Sequence, residues 1–176
     1  VRISGGQLQR IGIARALYKN AELIIFDIDT FGGRVDAATQ IKDAISATDI
    51  TTIAFINRRA ISAGSLISLS CDQIYMTDGG TIGATSVVDM SGSKQSEKSQ
   101  SYMREEMAAT AEKSGKNTDI ARGMVDEELS FEFLVINGDS LKVDDIEGRK
   151  EGKLITLTTE LALKYNIADG KSESVE

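Results

Sequence analysis

Ile53-Ala54-Phe55-Ile56-Asn57-Arg58-Arg59-Ala60-Ile61-Ser62-Ala63-Gly64-Ser65-Leu66-Ile67-Ser68 is the stretch that decides how this chain folds. An apolar run breaks at Asn57-Arg58-Arg59 and resumes with small residues. That pattern predicts a buried strand over 52–56, a sharp turn, and a helix over 62–70. Ser62 stands at the corner. A hydroxyl there lies beside the free N–H groups of the helix's first turn, where negative charge is favoured, which makes Ser62 the candidate nucleophile.

The preceding segment follows the same plan. Leu23-Ile24-Ile25-Phe26 reads as a continuous apolar strand, Asp27 through Gly33 as a loop, and residues 35–47 as a helix. Paired glycines Gly32-Gly33 directly after a strand give backbone N–H groups close access to a ligand. Repeated strand-turn-helix units predict parallel strands with crossover helices, an α/β fold whose sites collect at the carboxyl ends of the strands. Gly32-Gly33 and Ser62 both lie at such ends, so they can face one pocket.

Farther along, Gln73-Ile74-Tyr75-Met76 reads as a short strand and residues 78–84 as a turn-rich passage. Residues 86–100, rich in Ser and Lys, predict a flexible loop or lid. A helix is expected over 97–114 with Tyr102, Met103, Met107 and Ala111 inward, stopped by Gly115-Lys116-Asn117. Residues 137–152 read as a charged surface hairpin or loop, 154–157 as a late strand and 158–165 as a short helix, with 171–176 a frayed tail. At the start, residues 1–3 read as a short strand and 7–19 as a helix.

At 176 residues and 41% hydrophobic, the chain can bury one sizeable core, so a single domain is expected over 1–170. It contains no histidine, which excludes a Ser-His-Asp triad, a Cys-His dyad and any His-ligated metal. No cofactor or metal is implied. A net charge of -7 opposes nucleic-acid binding. The single cysteine, Cys71, cannot form an internal disulfide, and its neighbours suit core packing. No apolar run approaches the ~20 residues that span a bilayer. The chain as given is therefore expected to be soluble, and its start at Val1 is compatible with a piece of a longer, anchored protein.

A serine nucleophile needs a base in reach and donors for the oxyanion. Without histidine the usual base is a lysine held neutral, and burial together with the first turn of a helix favours that form. Lys98 occupies such a position, with Lys94 as its rival. The N–H groups of Ala63 and Gly33 are the candidate oxyanion donors. Gly32 and Gly64 are candidate substrate-binding positions, where a missing side chain lets a peptide lie close. A serine at a helix start is most often a cap, however, and a lysine there is most often solvated. The residues alone leave Ser62 open and favour a solvated Lys98.

Asp29-Thr30-Phe31-Gly32-Gly33-Arg34-Val35-Asp36-Ala37-Ala38, Ala60-Ile61-Ser62-Ala63-Gly64-Ser65 and Gly80-Thr81-Ile82-Gly83-Ala84 resemble the protease domain of NfeD-type, stomatin-operon partner proteins. These are relatives of the Clp protease and signal peptide peptidase A within the ClpP/crotonase fold. The likeness extends through Ala111-Glu112-Lys113-Ser114-Gly115-Lys116-Asn117 and the stretch from Lys153 to Glu160. It implies a serine endopeptidase with a Ser-Lys dyad, its nucleophile at Ser62, its base at Lys98 and its oxyanion donors at Gly33 and Ala63. It further implies a membrane-associated enzyme whose protease domain is extracytoplasmic, cleaving apolar segments of a partner such as a stomatin-like protein, and assembling as a homodimer or larger ring. Phe31 stands where many relatives carry proline, which predicts a less rigid loop.

The beginning resembles something else. Ile3-Ser4-Gly5-Gly6-Gln7-Leu8-Gln9-Arg10, with Ala14-Arg15-Ala16-Leu17 and Leu23-Ile24-Ile25-Phe26-Asp27, is similar to the signature segment and second nucleotide-binding strand of ABC transporter ATPases. No G-x-x-x-x-G-K-[ST] loop accompanies it, and Ile28 replaces the acidic residue after the strand's Asp, so ATP hydrolysis by this chain alone is not expected. Two readings thus compete with the peptidase: a non-catalytic scaffold that assembles with a membrane partner, and a nucleotide-binding fragment.

Overall fold

The central strand is longer than the hydrophobic run that announces it. This computed structural model describes residues 21–89, 91–146 and 150–175. Their elements run β1 (Leu23–Thr30), α1 (Val35–Ser46), β2 (Thr51–Ile61), α2 (Ala63–Leu69), β3 (Gln73–Met76), β4 (Thr81–Gly83), α3 (Glu97–Lys113), α4 (Thr118–Gly123), β5 (Phe133–Ile136), β6 (Asp139–Lys142), β7 (Thr156–Thr158), α5 (Thr159–Lys164) and β8 (Gly170–Lys171). The strand and helix expected over 1–3 and 7–19 lie outside the described residues.

Asn57-Arg58-Arg59, expected as a turn, continues β2 instead. The reason is a change of partner along one edge. Parallel to β1 on one side, β2 pairs on the other first with β3, from Ile53↔Gln73 to Ile56↔Met76, and then with β4, from Arg59↔Thr81 to Ile61↔Gly83. At the changeover Thr77 covers the gap, its N–H donating to Ile56 O (3.1 Å) and its hydroxyl to Asn57 O (2.5 Å). With the backbone satisfied, Asn57 and Arg58 extend into solvent while Ala60 stays buried, as the two-residue period of a strand allows. The β1 pairing slips between Ile28 and Thr30 to accommodate the same segment.

The sheet order is β7-β4-β2-β3-β8 with β1 beside β2, all parallel except β7, which runs antiparallel to β4. Residues 81–83, expected within a turn-rich passage, are thus a strand. The tail is also more ordered than expected at its start: β8 pairs with β3, and Ser172 N–H donates to Met76 O (3.1 Å). Ile56, Leu66, Ile74, Ile82 and Met107 are fully buried between sheet and helices. Each contributes about 1.5–3 kcal/mol of apolar burial. Of the residues expected inward on α3, Met103, Met107 and Ala111 are buried, but Tyr102 is 51% exposed. Tyr102 lies about 100° round the helix from Met103, outside the apolar stripe. Residues 137–138 form the turn of the β5–β6 hairpin, with Asn137 and Gly138 both at positive φ.

Lys116 is buried and paired with Asp169, whose carboxylate also accepts from Ile74 N–H (2.7 Å). That pair ties the end of α3 to β3 and closes the core away from the site.

Candidate active site

Ser62 occupies the single residue between β2 and α2, with φ 56° and ψ −117°. A side chain in that region costs on the order of 1–3 kcal/mol, and such strain persists only where neighbours enforce it. The neighbours are visible. Ser62 N–H donates to Gly83 O (3.1 Å), and its carbonyl accepts from Ser65 N–H (2.9 Å). The Ser65 hydroxyl donates to Ala60 O (2.7 Å) and accepts from Gly83 N–H (3.0 Å), joining the end of β2, the start of α2 and β4. A strand-to-helix corner of this strained kind holds a serine hydroxyl clear of its own backbone.

The Gly32-Gly33 loop packs directly on this corner. Gly32 has φ +127°, and a Cβ there would lie 2.7 Å from Ser62 Cβ and 3.1 Å from Ser62 Oγ. Only glycine fits. Thr30 sets the loop: its hydroxyl accepts from Gly32 N–H (3.1 Å). Gly64 is buried, and a Cβ on it would meet Thr30 Cγ2 at 2.6 Å, so its lack of a side chain seats α2 against β1. It also borders an open cleft of about 420 Å³ along β1 and α1.

Ser62, Gly33 and Ala63 line one small cavity of about 50 Å³, closed by Val35 and Leu66, by Thr85 and Val87 of the loop after β4, and by Met103 of α3. The structure therefore brings Ser62, Gly32, Gly33 and Ala63 together. It does not bring Lys98 to them. Lys98 lies in the first turn of α3, exposed, and is absent from the cavity wall. Gln100 explains this orientation: buried, it accepts from Val87 N–H (3.0 Å) and donates to Val87 O (2.7 Å). Two residues away on a helix is about 200° of rotation, so burying Gln100 turns Lys98 outward.

Lys94 is ion-paired with Glu127 at 2.7 Å. The hydrogen bond to Glu127 holds its ammonium above the ordinary lysine range, which keeps it charged and unsuited to take a proton. Cys71 is fully buried, and burial pushes its thiol up to about 12, an inert core residue.

The sequence reading missed Ser65, Thr30 and Thr85. Ser65 had a signal, since a second serine three residues after a corner serine falls on the same face of a helix. Thr30 acts locally, its hydroxyl taking the N–H two residues on, a turn that a threonine before paired glycines can signal. Thr85 is placed by tertiary contacts that no local pattern encodes.

The NfeD1b, N-terminal domain, family matches residues 7–176. The chain belongs to that family. Membrane protein NfeD1b of Bacillus subtilis is 33% identical over 156 residues, which is 89% of this chain and 33% of that protein. Membrane-bound protease PH1510 of Pyrococcus horikoshii is 34% identical over 120 residues, 64% of this chain and 27% of that one. The chain spans about a third of the length of these curated relatives. Among solved structures, the 1510-N membrane-bound stomatin-specific protease, as a lysine-to-alanine mutant with a substrate peptide, matches with TM-score 0.75 at 25% identity, over 99% of this chain and 72% of that one. ClpP1 from Listeria monocytogenes matches with TM-score 0.62 at 15% identity and shows the fold alone: this NfeD1b-type domain is ClpP-like. The transporter likeness has counterparts too. The β-(1→2)glucan export ATP-binding/permease protein NdvA of Rhizobium meliloti is 42% identical over 59 residues, 32% of this chain and 10% of that protein.

Proposed function

We propose that this NfeD1b-type domain is a serine endopeptidase in which Ser62 attacks the peptide carbonyl and Lys98 is its base. The observation that carries the reading is Ser62 itself, strained at a strand-helix corner with the Gly32-Gly33 loop against it. The Ser62 proton passes to the neutral Lys98 amine as the Oγ–C bond forms, and then to the departing nitrogen as the C–N bond breaks. Water hydrolyses the acyl-enzyme by the same route in reverse. Gly33 and Ala63 N–H groups stabilise the oxyanion. Residues 86–100 fold over bound peptide, and Gln100 releases Val87 so that the start of α3 turns Lys98 inward. The substrate is a stomatin-like protein, as likeness to the stomatin-specific 1510-N protease suggests, and the apolar cavity wall of Val35, Leu66, Val87 and Met103 favours an apolar segment of it. No described helix is long and apolar enough to cross a membrane. Membrane association, with the domain outside the cytoplasm, enters this reading from the likeness to membrane protein NfeD1b and membrane-bound protease PH1510, and the reading includes a homodimer or larger assembly that works with a stomatin-like partner.

The exposed Lys98 favours a second reading, a ClpP-fold scaffold without catalysis. Turnover of an apolar fluorogenic peptide separates the two. Wild-type cleavage that falls by roughly 10,000-fold or more in both Ser62→Ala and Lys98→Ala supports the dyad. Its rate should also rise with pH as an amine base gives up its proton, and a flat profile counts against it. An inert wild type supports the scaffold.

A further inference from the structure

Thr85 is 3% exposed, and its hydroxyl is the buried side-chain oxygen that lacks a hydrogen-bond partner among the described residues. An unpaired buried hydroxyl is costly and calls for a reason. Its backbone is firmly held: Thr85 N–H donates to Met124 O (2.6 Å), while Ala84 turns the chain out of β4 at φ 45° with its own N–H on Ile155 O (2.9 Å). Thr85 shares the wall of the 50 Å³ cavity with Ser62, among apolar Val35, Leu66, Val87 and Met103.

We infer that Thr85 is a positioning residue whose hydroxyl receives an N–H of the base at Ser62. The inference rests on the lysine-dyad reading. A neutral amine brings one lone pair and two N–H groups. For the lone pair to meet the Ser62 O–H, an N–H must find an acceptor inside a cavity whose other side chains are mostly hydrocarbon, and the Thr85 oxygen is uncommitted. An apolar substrate side chain in the same space leaves that hydroxyl unpaired, so the amine is the better partner. Once the amine takes the proton, the same contact shares the charge of the ammonium.

The role predicts an unusual pair of effects. Thr85→Val keeps the shape and removes the unpaired oxygen, so the resting protein gains stability, with Tm rising by roughly 2–4 °C. At the same time kcat on the apolar peptide falls about 10- to 100-fold with KM within about twofold. Phosphonylation of Ser62 by a small fluorophosphonate slows by the same factor, and Thr85→Ser restores both rates to within about threefold. Wild-type kcat in Thr85→Val overturns the inference. So does a change confined to KM with phosphonylation untouched, which makes the hydroxyl a substrate contact instead. Turnover that Lys98→Ala leaves intact sinks the dyad reading and this inference with it, whereas Lys98-dependent turnover insensitive to Thr85→Val sinks the inference alone.

Discussion

The two halves of the proposed dyad are built differently. Ser62 sits in a corner fixed by Gly83 of β4, Ser65 of α2 and the Gly32 loop that follows β1. Lys98 sits on the surface of α3, aimed by one buried neighbour, Gln100, whose two bonds to Val87 are to a loop. The nucleophile's geometry is thus part of the core's stability, and the base's geometry is a property of a segment that can be rearranged without unfolding the sheet. Substitutions at the corner should cost stability and activity together. Substitutions around the start of α3 should move activity while the melting temperature stays nearly constant.

The sharpest way to break that contrast is Gly32→Ala. The new Cβ would stand 2.7 Å from Ser62 Cβ on a backbone at φ +127°, so loop and serine must part. A displacement of about 1 Å at a reacting centre costs on the order of 100-fold in rate, and the strained backbone adds about 1–3 kcal/mol of destabilisation. Peptide turnover and thermal melts should fall together. A variant that melts lower but cleaves normally would detach the loop from the chemistry.

Ser65→Ala tests whether the strain at Ser62 is held from behind. It removes the hydroxyl that bridges Ala60 O and Gly83 N–H, at a cost of about 1–3 kcal/mol for the buried groups left unpaired. Each kcal/mol lowers Tm by roughly 2–4 °C in a chain of this size. Activity should drop with it, while Ser65→Cys, with a weak donor of similar size, should recover part of both.

These residues also show what the sequence could express. The strand-corner-helix at Ser62 and the Gly32-Gly33 loop were legible because each is local: an apolar run, a break, small residues and the period of a helix. The true length of β2 was not, since Asn57-Arg58-Arg59 joins the strand through β4 pairing and Thr77, contacts made with residues 20 to 22 positions later. The same holds for α3. Its apolar stripe through Met103, Met107 and Ala111 was readable, but the side on which Lys98 ends was set by Gln100, a polar residue buried by its two bonds to a backbone. Polar residues used as internal struts have no periodic signature.

Arg59→Ala probes the outer face of the Gly32 loop, where the effect should be smaller. Phe31, at the position that suggested a looser loop, lies under the Arg59 guanidinium at 4.4 Å, and Arg59 also pairs with Asp29 at 3.1 Å. Phe31 is 76% exposed, so the stacking contributes about 0.5–1 kcal/mol and the ion pair at most about 1. Tm should move by only a few degrees. If the clamp stiffens the loop, KM should rise two- to fivefold with kcat nearly kept, and Arg59→Lys, which cannot stack as a plane, should resemble the alanine.

The smallest effect is expected at Lys94, and it separates that loop lysine from Lys98 in the first turn of α3. The Glu127 partner raises the pKa of Lys94 above the ordinary 10.5, so its contribution is fully present below that value and is lost as pH climbs through the raised one. Both side chains are nearly half exposed, so the pair is screened and worth little to global stability. Lys94→Ala should therefore leave Tm within a degree or two and turnover within about threefold at neutral pH, where Lys98→Ala removes it. The local consequence is measurable by limited proteolysis: cleavage near residue 94 should quicken in Lys94→Ala, in Glu127→Gln, in wild type as the pH climbs through the raised lysine value, and in wild type at high salt. Loss of peptide turnover in Lys94→Ala with Lys98→Ala still active would reassign the base. It would also mean that the ion pair at Glu127, and not the bonds of Gln100, is what restrains the amine.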